Sequence, residues 1–146
     1  MAPAPSVERI RELFSPWETG DSLNFIDNVL APDCRFVVRG SHRYAGVYDR
    51  EGIKAVEMEV DKMFQVPETI AIARIFRAAE GDWVSISMAS KNGSLLLNGK
   101  PYNQTYLWAT KWDGEHIVEV EEYADFELLA NAVLENLEER RARDEL

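Results

Sequence analysis

Two stretches in the C-terminal half of the chain carry side chains that can move a proton inside an apolar site. The first is Tyr102, Gln104, Tyr106, Trp108, Thr110 and Trp112, spaced by two, and on a strand such residues share one face. A plain core selects Leu, Ile and Val instead, because every buried phenol or indole N–H needs a hydrogen-bond partner. The second is His116, Val118, Val120, Glu122 and Ala124, again at period two. Its opposite face holds Ile117, Glu119, Glu121, Tyr123 and Asp125. That set is mostly charged, so Val118, Val120 and with them Glu122 are expected to point inward. A carboxylate is costly to bury, and desolvation raises its pKa toward neutrality, where a general acid or base works best. Glu122 is thus the candidate proton carrier, and Tyr106, with Tyr102, the candidate donor to a developing oxyanion.

Two further polar residues are candidates for the same chemistry. Arg39 closes the β-rich stretch Cys34–Arg39 beside a loop with Gly40, His42 and Gly46. Its guanidinium can pair with Glu122 and orient a carbonyl or enolate oxygen, although alternation with Phe36 and Val38 inward sends Arg39 outward. His42, a lone loop histidine, is a candidate assistant. Trp17, Phe36, Val38, Leu13, Val120, Gln104 and Trp108 are the candidate substrate-lining residues, serving as core and pocket wall together.

These residues must be positioned by elements that the pattern also reveals. Ser6 can cap a helix over 7–18 with Ile10, Phe14 and Trp17 at helical spacing. A shorter helix carries Phe25, Ile26, Val29 and Leu30 and is expected to stop at Pro32. A third helix is predicted over 50–64, and its Glu57, Glu59, Asp61 and Lys62 read as a solvated face. Strands are predicted over 68–78, 82–91, 100–112 and 116–124, joined by turns at Glu80-Gly81-Asp82, Asn92-Gly93 or Asn98-Gly99, and Asp113-Gly114. Asp125 can cap a last helix that runs into a charged tail over 138–146. Helices segregated from an antiparallel sheet make the class α+β.

Composition narrows the function. The 26 acidic and 16 basic residues leave a net charge of −10, a field that repels nucleic-acid phosphates. No apolar run is long enough to span a membrane, and the polar N-terminus lacks a signal-peptide stretch. Two histidines and the single Cys34 make a poor metal set. No GxGxxG or GxxxxGK[ST] motif is present, so no cofactor is expected. A cytoplasmic single domain over 1–146 follows as the expectation.

Four segments carry a resemblance across nearly the whole chain. They are Trp17-Glu-Thr-Gly-Asp21; Gly40-Ser-His-Arg-Tyr-Ala-Gly46-Val-Tyr48; Gly99-Lys-Pro-Tyr-Asn103 through Tyr106-Leu-Trp108; and Ile117-Val-Glu-Val-Glu-Glu-Tyr-Ala-Asp125. In this order they resemble the SnoaL-like proteins of the nuclear transport factor 2-like superfamily. The resemblance implies a cone-shaped α+β barrel, a curved antiparallel sheet wrapped by about four helices around one deep pocket, and usually a homodimer. In the ketosteroid isomerase branch the oxyanion tyrosine falls at Leu13, the base aspartate near Val38 and the protonated aspartic acid at Trp108, so that route is missing here. The acid–base aspartate of the SnoaL-type cyclases falls on Glu122. The expected function is a cofactor-independent isomerase or cyclase of secondary metabolism, acting by proton transfer on an apolar polycyclic, polyketide or terpenoid-type substrate. The alternatives are a non-catalytic binding module and an epoxide-opening enzyme of the same fold.

Overall fold

The computed structural model describes residues 1–79, 81–91 and 93–144. Helix α1 (Val7–Glu18) opens where the Ser6 hydroxyl accepts the Arg9 N–H at 3.1 Å. Gly20, at φ 78°, turns the chain as no β-carbon-bearing residue readily would, and Asp21 caps α2 (Ser22–Val29). Strand β1 (Leu30–Val38) follows at once. Pro32 therefore does not end the helix but sits inside the strand. Pairing of β1 breaks between Leu30 and Arg35, Pro32 is exposed, and no ladder bond is lost to its missing N–H.

A short β2 (Gly46–Tyr48) occupies part of the predicted glycine-rich loop. Asp49 caps α3 (Arg50–Asp61) through Gly52 N–H at 2.7 Å. This helix ends three residues earlier than its periodicity suggests, because Phe64 belongs to β3 (Phe64–Val66), which pairs with β6 (Leu95–Leu96). Strands β4 (Ile70–Arg77), β5 (Trp83–Ser90), β7 (Thr105–Asp113) and β8 (His116–Ala124) form the main sheet with β1 and β2, in the order β2-β1-β8-β7-β5-β4. Residues 100–104 are not the start of a strand, since Pro101 cannot donate to a ladder and the chain crosses there from β6 to β7. Of the predicted turn residues, Glu80 and Asn92 lie outside the described residues.

The sheet is antiparallel except where β1 runs parallel to β8. Those strands are far apart in sequence, so no hairpin constrains their direction. Register breaks in β1, in β4 and between Lys111 and Trp112 bend the sheet, which curls around a cavity without closing. The last break also reverses the side-chain alternation at the start of β8. Ile117, expected outward, is fully buried instead.

Helices α1 and α2 cover one end with the aromatic cluster Phe14, Trp17, Phe25, Phe36 and Trp108. Helix α4 (Phe126–Glu135), capped by Asp125, packs Ala132 and Val133 into a second cluster with Met63, Phe64, Leu96 and Tyr102. The charged tail forms a fifth helix, α5 (Leu137–Asp144), that is docked rather than merely solvated. Arg143 donates to the Phe64 carbonyl at 2.8 Å, and Arg140 pairs with Glu59. Its final two residues lie outside the described ones.

Asn136 joins α4 to α5 and is completely buried. Its amide donates to the Ala132 carbonyl at 2.7 Å and accepts the Asn98 N–H at 2.9 Å. Replacing it with alanine leaves the part-buried Asn98 N–H and the Ala132 carbonyl without this partner, so Asn136→Ala should lower unfolding stability by about 1–3 kcal/mol in urea titration.

Candidate active site

The curled sheet and helices α1 to α4 line an open-mouthed pocket whose atom-free space, with the solvent at its mouth included, is about 790 Å³. Aromatic and aliphatic side chains make most of its wall: Trp17, Phe36, Tyr44, Tyr102, Tyr106, Trp108 and Phe126, with Ile26, Val38, Ile53 and Met88. Three carboxyls face this space, Glu57 from α3, Glu68 from the segment before β4, and Glu122 from β8. None of the lining residues is Lys, Arg or His.

Register explains why Glu122 points inward. It pairs with Trp108 on one side and with Val38 on the other, so all three share the concave face. The Trp108 indole N–H donates to Glu122 Oε2 at 2.7 Å. Burial pushes the Glu122 pKa up to about 7, and the indole bond only partly offsets that rise.

Glu68 shares strand parity with Ile70, whose side chain is also in the wall. Its carboxylate accepts the Tyr106 hydroxyl at 2.8–2.9 Å and the Ser90 hydroxyl at 3.0 Å. Burial again dominates and raises it to about 7, with a smaller push from the Glu122 charge. Burial also holds Tyr106 well above the ordinary phenol range, so it stays a neutral donor. Glu57 rises well above the usual carboxylate range through burial, then through the nearby Asp61, Glu68 and Glu122 charges.

Gln104 contributes wall but no spare polar group. Its amide donates to Tyr102 Oη at 3.0 Å and to the Asp125 carbonyl at 2.9 Å, and its oxygen accepts two backbone N–H groups. It therefore clamps the 100–104 crossing to the start of α4 and holds the Tyr102 ring in place. Two other lining groups have no partner at all. The Trp17 indole N–H and the Tyr44 hydroxyl are buried without a hydrogen bond, in residues 7% and 8% exposed.

Four residues from the sequence reading do not reach the cavity. Arg39 points outward, as strict alternation requires, and pairs with Glu121 at 2.8 Å. His42 stacks on Phe126, 4.0 Å between centroids, with Nε2 2.9 Å from the Arg39 carbonyl. It therefore braces the loop from behind a wall residue. Leu13 packs against the core outside the wall. Val120 is fully buried but is not a wall residue; its neighbour Phe36 is.

The sequence pattern puts Glu57 on a solvated face, yet it lines the cavity, as do Glu68 and Tyr44, which the pattern does not single out as site residues. For Glu57 a signal existed: with Ile53, Val56 and Val60 it completes an apolar helical stripe. For Glu68 the parity with Ile70 and Ile72 was the available clue. Tyr44 lies in a loop, where no periodicity speaks.

A scan of the sequence against protein-family models and a search of curated proteins both return no match. Solved structures do match in fold. IdmH from Streptomyces antibioticus, described as a candidate polyketide cyclase, is 21% identical with a TM-score of 0.64, over 86% of this chain and 96% of that one. A candidate SnoaL-like polyketide cyclase from Jannaschia Sp. CCS1 is 13% identical at a TM-score of 0.64, over 87% and 90% of the two chains. A candidate isomerase from Bacillus subtilis is 14% identical at a TM-score of 0.69, over 86% and 89%. The chain shares its fold with these solved structures, among them proteins described as NTF2-like and SnoaL-like, and a shared fold does not fix the reaction.

Proposed function

We propose that the protein is an enzyme that isomerises or cyclises an apolar, ring-containing substrate by proton transfer, without a cofactor. The observation that carries this reading is the pair Glu122 and Glu68, two carboxyls raised to about 7 inside one aromatic cavity. Near neutral pH such a pair populates the state in which one carboxyl is ionised and the other protonated, so a base and an acid face the same ligand. Glu122, held by Trp108, takes the proton. Glu68, with the Tyr106 phenol on it, returns one at a second carbon or stabilises the oxyanion through Tyr106. The unpaired Trp17 N–H supports a substrate with an acceptor oxygen, because an indole nitrogen can only donate. The aromatic wall limits the access of water to the carbanion or enolate.

The test needs no natural substrate. A bicyclic ketone such as 2-tetralone in D₂O exchanges its α-hydrogens when a base removes them. The protein should raise that exchange above the buffer rate, as read by proton NMR. Exchange no faster than buffer, with the ketone bound, favours the binding-module reading. Epoxide opening is less well supported, because no guanidinium lines the cavity beside the carboxyls.

The partner implied by the family resemblance is a second copy of the chain. Phe76, Trp83, Leu107 and Tyr123 share the outer face of the sheet, by the register from β4 to β8, and all are exposed. A homodimer that covers them should show twice the chain mass in light scattering, and Leu107→Glu should return it to a monomer. No helix among the described residues is long and apolar enough to cross a membrane.

A further inference from the structure

Buried carboxyls ordinarily come with a counter-charge from Arg, Lys or a metal. Here Glu57, Glu68 and Glu122 share one cavity wall, and no basic side chain joins them. The nearby guanidinium of Arg43 lies 5.4 Å over the Tyr44 ring, but Arg43 is exposed and is not part of the wall. Nor do the three converge as metal ligands. Among the described residues no group of three His, Cys, Asp or Glu side chains could hold one ion. Part of this burden is relieved by protonation, and a ligand whose positive charge is carried on a larger body would balance the rest.

The wall fits such a body. Aromatic faces carry negative quadrupole charge and attract a cation within about 6 Å of the ring centre. The Tyr44 hydroxyl, in a residue 8% exposed, is buried in this wall without any partner, so its oxygen lone pairs are free for an N–H donor. We infer that the cavity takes an organic cation: an apolar, ring-bearing molecule with a protonated amine that lodges by Glu57 and Tyr44. This names the substrate class and rests on the reading of the cavity as the substrate site. The arrangement leaves Glu122 and Glu68, held by Trp108 and Tyr106, for proton transfer and assigns Glu57, whose side-chain partner is Ser22, to binding.

Three probes of similar shape and different charge test it directly. Binding of 4-phenylbutylamine, 4-phenylbutan-1-ol and 4-phenylbutyrate to the wild-type protein is measured by calorimetry at about pH 8, where the amine is charged and pH lies above the value of about 7 to which Glu68 and Glu122 are raised. The amine should bind at least ~10-fold tighter than the alcohol, and the carboxylate weakest. In Glu57→Gln the amine should lose about 10-fold, and the alcohol should change by less than about two-fold. An alcohol or carboxylate that binds as tightly as the amine, or no binding of any probe, overturns the inference; the wild-type comparison stands even where the variant fails to fold. Loss of amine preference with 2-tetralone exchange intact removes this inference alone. Amine preference without exchange removes the proton-transfer reading alone.

Discussion

In Glu122→Gln, cavity-dependent hydrogen exchange of 2-tetralone should fall by about 10²–10⁴-fold, with affinity for the ketone changed by less than about two-fold. Glutamine keeps the shape of the side chain and still accepts the Trp108 N–H, so the wall is preserved. What it lacks is a site for the proton. The pH profile of the wild-type rate checks the same assignment. Because Glu122 and Glu68 both lie at about 7, activity that needs one ionised and one protonated should peak near neutrality and decline on both sides. A Glu122→Gln variant that exchanges the ketone at the wild-type rate would overturn the role given to this residue.

A second large effect concerns stability. Both carboxyls ordinarily titrate at 4.5 and are raised to about 7 by the fold. The folded chain therefore holds protons that the unfolded chain has released. Their contribution is complete below about pH 4.5 and is lost as pH rises through about 7. The raised values correspond to roughly 3 kcal/mol for each group at most, and access of water through the mouth reduces this toward 1–2. Glu57 acts in the same direction. Thus Glu122→Gln and Glu68→Gln should each be more stable than the wild type at about pH 8, and nearly equal to it at about pH 4.5. Thermal melts at the two pH values read the difference, which on the order of 2 kcal/mol should appear as several degrees for a chain of this size. Stability gained exactly where activity is lost would be the mark of a site that stores unfavourable burial for function. Equal melting points at both pH values would show that the carboxyls are solvated.

The two effects separate binding, chemistry and folding. A residue that only packs would cost stability at every pH when replaced, as Asn136 should. Glu122 and Glu68 should instead trade activity for stability, and only above the pH at which their burial becomes a charge burden.

Much of this was legible in the linear order of residues. Period-two spacing from Tyr106 to Thr110 puts Trp108 on the face of its two neighbours, and from Val120 to Glu122 it puts Glu122 on the face of Val120; the pairing of the two strands makes these one face. Ser6 and Asp125 each cap a helix through their own side chains, a local interaction that needs no distant partner. Alternation likewise sends Arg39 outward to Glu121. The tertiary structure alone decided the rest. The parallel pairing of β1 with β8 brings Val38 beside Glu122 from far along the chain. A register break turns Ile117 inward against its parity. Glu57 lies on a helix whose polar neighbours suggest solvent, and only the packing of α3 over the sheet makes it part of the wall. Local rules set where a side chain points relative to its own backbone; which other charges it then faces depends on how separate elements meet, and that is where three carboxyls without a cation came together.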